Sequence, residues 1–269
     1  SVSVPLNVNE LCLTTPPLWK GLGTAILPLD MATESIDDMF DGCRSEAASM
    51  IDLFGVFEWH FNRNFSYAWA VAERNAKKPA HRQLKDDHAV ALHMYTQVKF
   101  IQQEFNKAVQ TGKHEYNTYG FRFHYLYFYL TDAVKVLRQN STSCVIGFRR
   151  VSSYLSQDVL NKAIRFDSFT SASMGWYPSS ERFGDESGFE IVLCHGADVS
   201  LFLKLGEAER EALIPPYEVF KVISVKRRSE QKNLPCEVFP LRAPLSGGSQ
   251  SKGGVASHRD GGQQLPFKN

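Results

Sequence analysis

The stretch EREALIPPYEVF, at positions 209–220, is the most informative part of this 269-residue chain. Two glutamates, Glu209 and Glu211, stand two residues apart, and an apolar run then leads through two prolines into a second apolar run at 217–225. Short runs of this kind, bounded by proline and charged residues, are typical of β-strands. In an extended segment, residues two apart point to the same side, so both carboxylates can face one cleft.

Outward from this stretch, the chain divides into a helical part and a strand-rich part. Apolar residues recur every three or four positions at 37–59, 84–109 and 121–138, whereas short strand-like runs fill the chain after residue 140. Because helices precede strands, an α+β fold is predicted rather than alternating α/β. We expect one domain at 29–240, helical at 29–140 and strand-rich at 141–240. It follows an N-terminal extension at 1–28 and precedes a Gly/Ser/Gln-rich disordered tail at 241–269.

Composition excludes several classes of function. Thirty Lys and Arg residues against 29 Asp and Glu residues leave a net charge of +1, which argues against nucleic-acid binding through many phosphate contacts. No apolar run approaches the roughly 20 residues of a membrane-spanning helix. The eight histidines form no pair at metal-ligand spacing, so no metal site is expected.

The cysteines and two glycosylation sequons favour an extracellular setting. Five cysteines are widely spaced, and sequons begin at Asn64 and Asn140. Dispersed cysteines of this kind suit long-range disulfides in a secreted protein, although five buried thiols in a cytosolic protein is the alternative. Spacing alone leaves the disulfide pairing open.

Taken together, three segments of the strand-rich part resemble the vertebrate ecto-ADP-ribosyltransferases, the mono-ADP-ribosyltransferases with an R-S-E signature. Phe148-Arg149 is similar to the arginine of the family's Y-R-G-like motif, and FTSAS at 169–173 to its R-F-G-Q-F-[TS]-S-x-S strand. The stretch at 209–220 resembles E-x-E-V-L-I-P-P-[FY]-E-x-F almost letter for letter. Further similar motifs in the helical part extend the resemblance from about residue 29 to residue 239. Arg150 replaces a family glycine, and Ser168 replaces a glutamine that approaches NAD.

The resemblance implies a fold, a substrate and a set of roles. The helical half is expected to pack on a mixed β-core of two sheets, and the substrate is expected to be NAD, whose ADP-ribose passes to arginine side chains of acceptor proteins. Glu211 would stabilise the oxocarbenium-like transition state, and Arg149 would bind the phosphates or ribose of NAD. Ser171 would hold Glu211 and the strand edge, and Glu209 would orient the acceptor guanidinium.

Further expectations rest on the same resemblance. Tyr95 and Ser200 would lie against the nucleotide. Disulfides would join Cys43 to Cys236 and Cys144 to Cys194, leaving Cys12 without a partner. Relatives often carry a glycolipid anchor, and because this chain ends without an apolar tail, it is expected to be secreted or to have lost that tail.

Two alternative functions stay open. The chain could be an NAD glycohydrolase, in which water replaces the acceptor, or a catalytically silent extracellular binding protein. The presence of Arg149, Ser171, Glu209 and Glu211 disfavours the silent relative.

Overall fold

The computed structural model describes residues 26–78, 82–139, 143–203 and 210–243. Within these ranges a helical layer precedes a mixed β-sheet, so the predicted α+β order is confirmed. The helices are α1 Arg44–Phe61, α2 Arg63–Asn75, α3 Asp86–Gln97, α4 Lys99–Thr111, α5 His124–Gln139 and α6 Ser180–Phe183. The strands are β1 Val145–Val151, β2 Ala163–Arg165, β3 Thr170–Ser173, β4 Ser187–Leu193, β5 Ala197–Asp198, β6 Glu211–Ile214, β7 Val219–Val222 and β8 Glu237–Arg242. Cys12, Asn140, Glu209 and the predicted disordered tail from residue 244 onward lie outside the described residues.

Two helical stretches differ from the periodicity in the sequence. The first begins only at Arg44, because Phe40 and Gly42 have left-handed backbone angles, φ +53° and +76°, that no α-helix contains. The second, at 84–109, is two helices rather than one. Val98 leaves the helical region with φ −104° and ψ 83°, so α3 ends there and α4 begins.

Asn62 caps the N-terminus of α2, whose buried residues Phe65, Ala68, Trp69 and Ala72 recur at helical spacing. Its side-chain oxygen accepts a hydrogen bond from the Phe65 N–H at 3.1 Å, which satisfies one of the unpaired donors of the first turn. The sequon residue Asn64 is exposed in that turn, and its amide donates to Glu104 at 2.7 Å. Glycosylation of Asn64 stays a prediction.

A buried carboxylate fixes the start of α5 against α1. Glu58 accepts hydrogen bonds from the His124 N–H at 2.5 Å and the Tyr125 N–H at 3.1 Å, so its negative charge meets the positive end of the helix dipole. Glu58 is 1% exposed, and the His124 ring lies 3.1 Å from it. The aromatic helix α5 is thereby tied to its neighbour at the first turn.

A second cluster joins α1, α3 and α5 through the buried carboxylate of Asp132. The Arg44 guanidinium donates to both Asp132 oxygens, at 2.5 and 2.6 Å. His88 accepts from the Lys85 N–H on Nδ1, so its Nε2 carries the proton that is donated to Asp132 at 2.9 Å. Burial favours a raised pKa for Asp132, but the hydrogen bonds from His88 and Arg44 outweigh burial and lower that pKa to about 2.

The strands form one sheet, so the expectation of two sheets was wrong. Its eight strands run in the order β2-β7-β8-β4-β1-β3-β6-β5, with β4 and β8 parallel and the other pairs antiparallel. The strand groups on either side of the β1–β3 junction are joined by one register pair, Phe148 with Ser173. Because they share a single register pair, the two strand groups resemble two sheets, but hydrogen bonding across the junction makes them one.

The two faces of β6 bury different cores. Leu213 lies in the core shared with the helical layer, together with Phe169 and Phe202, whereas Ala212 and Ile214 lie in the core on the opposite face of the sheet. This alternation follows from the two-residue period of a strand. It places β6 between two packed layers and fixes the orientation of Glu211 at its first position.

Arg165 links segments that are far apart in the sequence. Its guanidinium, 5% exposed, donates to the carbonyl oxygens of Met31 at 2.9 Å, Ala32 at 3.1 Å and Pro216 at 2.9 Å. It also pairs with Asp37 at 3.0 Å. The N-terminal segment is therefore fastened to the loop after β6 by one side chain.

Candidate active site

A cleft of about 730 Å³ opens at the β1–β3 junction. Residues of β1, β3 and β6 line it on the sheet side, and the α3–α4 corner lines it on the helical side. Arg149, Ser171 and Glu211, each predicted as catalytic, all line this cleft. The structure therefore brings together three residues that are separated by up to 62 positions in the sequence.

Arg149 is oriented by the main chain of β3. It lies on β1, one residue after the junction pair, and its Nη1 donates to the carbonyl oxygen of Ser171 at 2.9 Å. Burial lowers the pKa of the Arg149 guanidinium, and nearby groups that include Tyr95 and Glu211 oppose this effect. A guanidinium remains protonated at neutral pH, so Arg149 presents a fixed positive charge to the cleft.

Ser171 and Glu211 form a diagonal pair across β3 and β6. The register pairs Ser171 with Leu213, so Glu211, two residues before Leu213, lies on the same face of the sheet. The Ser171 hydroxyl donates to Glu211 Oε1 at 2.5 Å. The carboxylate is thus oriented by a side chain on the neighbouring strand.

The main chain of Glu211 is fixed from the other side by Ser200. The Glu211 N–H donates to Ser200 Oγ at 3.1 Å, and the Ser200 hydroxyl donates to Asp198 at 2.5 Å. The Val199 N–H also donates to the Glu211 carbonyl oxygen at 2.9 Å. Ser200 is 4% exposed and is not part of the cleft lining, so this geometry makes it a positioning residue. The contact with the nucleotide that the resemblance implied for Ser200 stays a prediction.

Tyr95 lies beneath the site rather than in its wall. The side chain is 1% exposed, and its hydroxyl donates to the Phe169 carbonyl oxygen at 2.6 Å, just before β3. Burial raises the pKa of Tyr95 to about 12, so the hydroxyl keeps its proton at neutral pH and remains a donor. Tyr95 therefore supports the strand that carries Ser171, and its expected contact with the nucleotide stays a prediction.

Arg150 and Ser168, which depart from the family motifs, both make defined contacts in the structure. Arg150 lines the cleft, donates to the Pro235 carbonyl oxygen at 3.1 Å, and lies over the Tyr177 ring at 5.5 Å from its centroid. Ser168 is 5% exposed and donates to Asp167 at 3.1 Å. A short buried serine therefore occupies the position where the family has a glutamine that approaches NAD.

The sequence reading missed the other cations of the cleft. Lys99, Arg182 and Arg210 line it together with Arg149 and Arg150. Lys99 is the first residue of α4, four positions after the predicted site residue Tyr95. Arg182 lies in the four-residue helix α6, which no periodicity identifies.

One of the two expected disulfides is present. Cys144 and Cys194 are bonded, with Cα atoms 4.5 Å apart, beside the register pair of Val145 and Leu193. That bond confirms the pairing at the outer end of β1 and β4.

The expected bond between Cys43 and Cys236 was wrong, because both residues are free thiols. Cys43 is exposed at the N-cap of α1, in the helical layer. Cys236 is fully buried just before β8, where it packs with Tyr177 and Val238. The two sulfurs thus belong to different parts of the fold.

Two absences concern the described residues alone. Over the described ranges, no group of three His, Cys, Asp or Glu side chains is arranged to hold a metal ion. No helix in the same part of the chain is both long and apolar enough to cross a bilayer.

The chain is similar to known ADP-ribosyltransferases in sequence. It is 32% identical over 210 residues to NAD(P)(+)--arginine ADP-ribosyltransferase 2 of Gallus gallus, covering 75% of this chain and 66% of that protein, which is just under two thirds of its length. It is 30% identical over 276 residues to ecto-ADP-ribosyltransferase 5 of Mus musculus, covering 95% of this chain and 88% of that protein.

The fold is similar to solved structures as well. The eucaryotic mono-ADP-ribosyltransferase ART2.2 matches with a TM-score of 0.67 and 25% identity, over 83% of this chain and 97% of that one. A variant of ART2.2 in complex with NADH matches with a TM-score of 0.67 and 26% identity, over the same shares of the two chains. The family model for NAD:arginine ADP-ribosyltransferase matches residues 29–237, which include every described residue of the cleft. This chain belongs to the NAD:arginine ADP-ribosyltransferase family.

Proposed function

We propose that this protein transfers ADP-ribose from NAD to arginine side chains of acceptor proteins and releases nicotinamide. The observation that carries the proposal is the hydrogen bond from Ser171 to Glu211 in a cleft that Arg149 also lines. It holds a carboxylate in a fixed orientation beside cationic side chains, which suits a substrate that is anionic at its diphosphate and becomes cationic at one ribose.

The reaction breaks the bond between the ribose anomeric carbon and the nicotinamide nitrogen. The electron pair of that bond leaves with nicotinamide, and positive charge develops on the ribose. A preorganised carboxylate stabilises this charge as it forms and has no reorganisation to undergo during the reaction. Glu211 is that carboxylate. A guanidinium nitrogen of the acceptor then bonds to the anomeric carbon and loses a proton.

The cations of the cleft support binding of the NAD diphosphate. Arg149 is oriented by a main-chain oxygen, so its remaining N–H groups are presented in a fixed fork that matches phosphate oxygens. Lys99, Arg150, Arg182 and Arg210 add positive charge around it. An anionic substrate is therefore favoured over a neutral one.

An arginine acceptor is supported by Glu209 and by the relatives. Glu209 stands two residues before Glu211 in the sequence, and a carboxylate there can hold a guanidinium by paired hydrogen bonds and help to remove its proton. Several relatives are named as arginine ADP-ribosyltransferases. An action outside the cell is supported by relatives named as ecto- or GPI-linked enzymes and by the disulfide between Cys144 and Cys194.

The test compares nicotinamide release with ADP-ribosyl-agmatine formation, using agmatine as the arginine analogue. We expect the wild-type chain to form the agmatine adduct at the expense of hydrolysis. Glu211→Gln is expected to lose both activities, by about 10²–10³-fold, because both pass through the charged ribose. Glu209→Gln is expected to lose transfer but keep hydrolysis, since water needs no such orientation.

Glu230→Gln, an exposed glutamate outside the cleft, is the matched control and should retain both activities. Nicotinamide release unaffected by agmatine would identify a glycohydrolase instead. Absence of both activities in a folded wild-type chain would identify a silent relative. Full transfer activity in Glu211→Gln would overturn the catalytic assignment, and equal loss of both activities in Glu209→Gln would overturn the role of Glu209.

A further inference from the structure

A second pocket, of about 390 Å³, lies between α1, α2 and α5. Its aromatic wall comes from all three helices, with Trp59 on α1, Phe65 and Trp69 on α2 and Tyr125 on α5. None of the residues that line it also lines the NAD cleft. The pocket is therefore a separate feature of the helical layer.

The Tyr125 ring stands at a steep angle to two other rings of the pocket wall. The Trp69 and Tyr125 rings lie 5.0 Å apart at 74°, and Phe65 and Tyr125 lie 6.4 Å apart at 81°. Trp69 is 7% exposed, whereas Trp59 is 43% exposed at the mouth of the pocket. Trp59 therefore offers ring surface to a small guest, whereas Phe65 and Trp69 are almost wholly packed. The face of an aromatic ring carries negative potential.

Gly55 permits this arrangement. A β-carbon at position 55 would lie 2.5 Å from Cδ2 of Tyr125, closer than carbon atoms approach in proteins. The Tyr125 ring therefore packs directly on the backbone of α1. The Tyr125 hydroxyl donates to Asp87 at 3.2 Å, so its ring position is fixed at both ends.

The charge of the pocket is negative. Asp52 and Glu73 line it, and neither carboxylate has an ion pair or a hydrogen bond among the described residues. No lysine or arginine of the described chain lines it, and the remaining titratable side chains there are those of His60 and Tyr125. Carboxylates beside aromatic faces are the surroundings in which proteins bind organic cations.

We propose that this pocket binds an organic monocation, either a quaternary ammonium or a guanidinium. The ring faces attract the cation, and Asp52 and Glu73 neutralise its charge. The volume, about 390 Å³, accommodates a headgroup of this size. The inference does not depend on the proposed transferase activity, because it concerns other residues.

The experiment follows the tryptophan indole N–H signals of the full chain by NMR at constant ionic strength. Choline and methylguanidinium are titrated separately, and 3,3-dimethylbutan-1-ol, the neutral isostere of choline, is the matched ligand control. A cation should move the signals of Trp59 and Trp69 but not that of Trp176, which contacts Phe148 of the NAD cleft. The neutral isostere should bind at least about tenfold more weakly, since a desolvated cation–π contact contributes about this factor.

Trp59→Leu and Glu73→Gln should each weaken cation binding by roughly two- to fivefold, as expected for contacts at exposed side chains. Tyr67→Leu and Glu46→Gln remove an exposed aromatic and an exposed carboxylate of α2 and α1 outside the pocket, and should leave it unchanged. Thermal melts of all four variants establish that they are folded. Tighter binding of choline identifies a quaternary ammonium site, and tighter binding of methylguanidinium identifies a guanidinium site. Equal binding of the neutral isostere, no binding of either cation, or shifts confined to Trp176 would overturn the proposal.

Discussion

Replacing Ser171 with alanine removes the hydroxyl that orients Glu211 and leaves the main chain of β3 intact. The hydrogen bond from Arg149 is expected to survive, because its acceptor is the carbonyl oxygen of Ser171 and not the side chain. The register of Ser171 with Leu213 is likewise a main-chain property. Ser171→Ala therefore separates the orientation of the carboxylate from the position of the arginine.

The size of the effect follows from the hydrogen bond that is lost. A hydrogen bond to a charged group contributes about 1.5–3 kcal/mol. If that energy serves to hold Glu211 in its reactive orientation, kcat should fall by about 10- to 150-fold, at about 1.4 kcal/mol per factor of ten. The KM for NAD should change little, since Arg149 and the other cations of the cleft are untouched.

The assay measures kcat and KM for nicotinamide release in Ser171→Ala, Glu211→Gln and the double variant. Because Ser171 acts through Glu211, its removal should have little further effect once the carboxylate is absent, so the two losses should not add. Thr170→Val is the matched control: it removes a buried hydroxyl from the same strand on its opposite face. That variant should lose about 1 kcal/mol of stability and no activity.

Three results would refute this reasoning. A kcat for Ser171→Ala within twofold of wild type would mean that the hydroxyl does not orient Glu211 in the reaction. Additive losses in the double variant would mean that Ser171 acts on the substrate independently of the carboxylate. A rise in the KM for NAD with unchanged kcat would lead to the same conclusion.

Two further predictions concern stability. Cys144→Ser with Cys194→Ser opens a loop of 50 residues and should lower the free energy of unfolding by about 4 kcal/mol in urea titrations. Non-reducing peptide mapping of the wild type should recover this bond and leave Cys43 alkylated. A Cys43–Cys236 peptide would contradict the structure. Asp132 has a pKa of about 2 when folded, below its ordinary value, so it stabilises the fold above about pH 4, and this contribution is lost as the pH falls toward 2. Asp132→Asn should therefore flatten the loss of stability between pH 4 and pH 2, and an unchanged slope would contradict the role of the cluster.

The residues that we propose as catalytic were found from the sequence because each lies in a compact motif. Arg149, Ser171 and Glu211 stand at fixed places within short apolar runs, and those runs became β1, β3 and β6. A strand alternates its side chains, so the face of each residue follows from its position in the motif. The α+β order was predictable for a similar reason, since period and run length report local structure.

The positioning role of Ser200 was not predictable in this way, although the resemblance named the residue. Ser200 acts through a hydrogen bond to the main chain of Glu211, and no side-chain pattern encodes a main-chain partner 11 residues away. The break at Val98 was hidden because apolar residues continue on both sides of it. The pairing of Cys43 with Cys236 failed because a motif match gave the residues but not the positions of their sulfurs.

The link made by Arg165 has a consequence for how the chain is made. Met31 and Ala32 accept hydrogen bonds from a side chain that lies 134 and 133 residues later, and that side chain also needs Pro216, another 51 residues on. A ribosome adding about 5–20 residues per second reaches residue 165 roughly 7–27 s after residue 31. During that interval the segment at Met31 and Ala32 lacks its partner. The segment around Met31 is thus synthesised well before the side chain that fastens it, and a nascent chain stopped before residue 165 lacks the guanidinium that holds it.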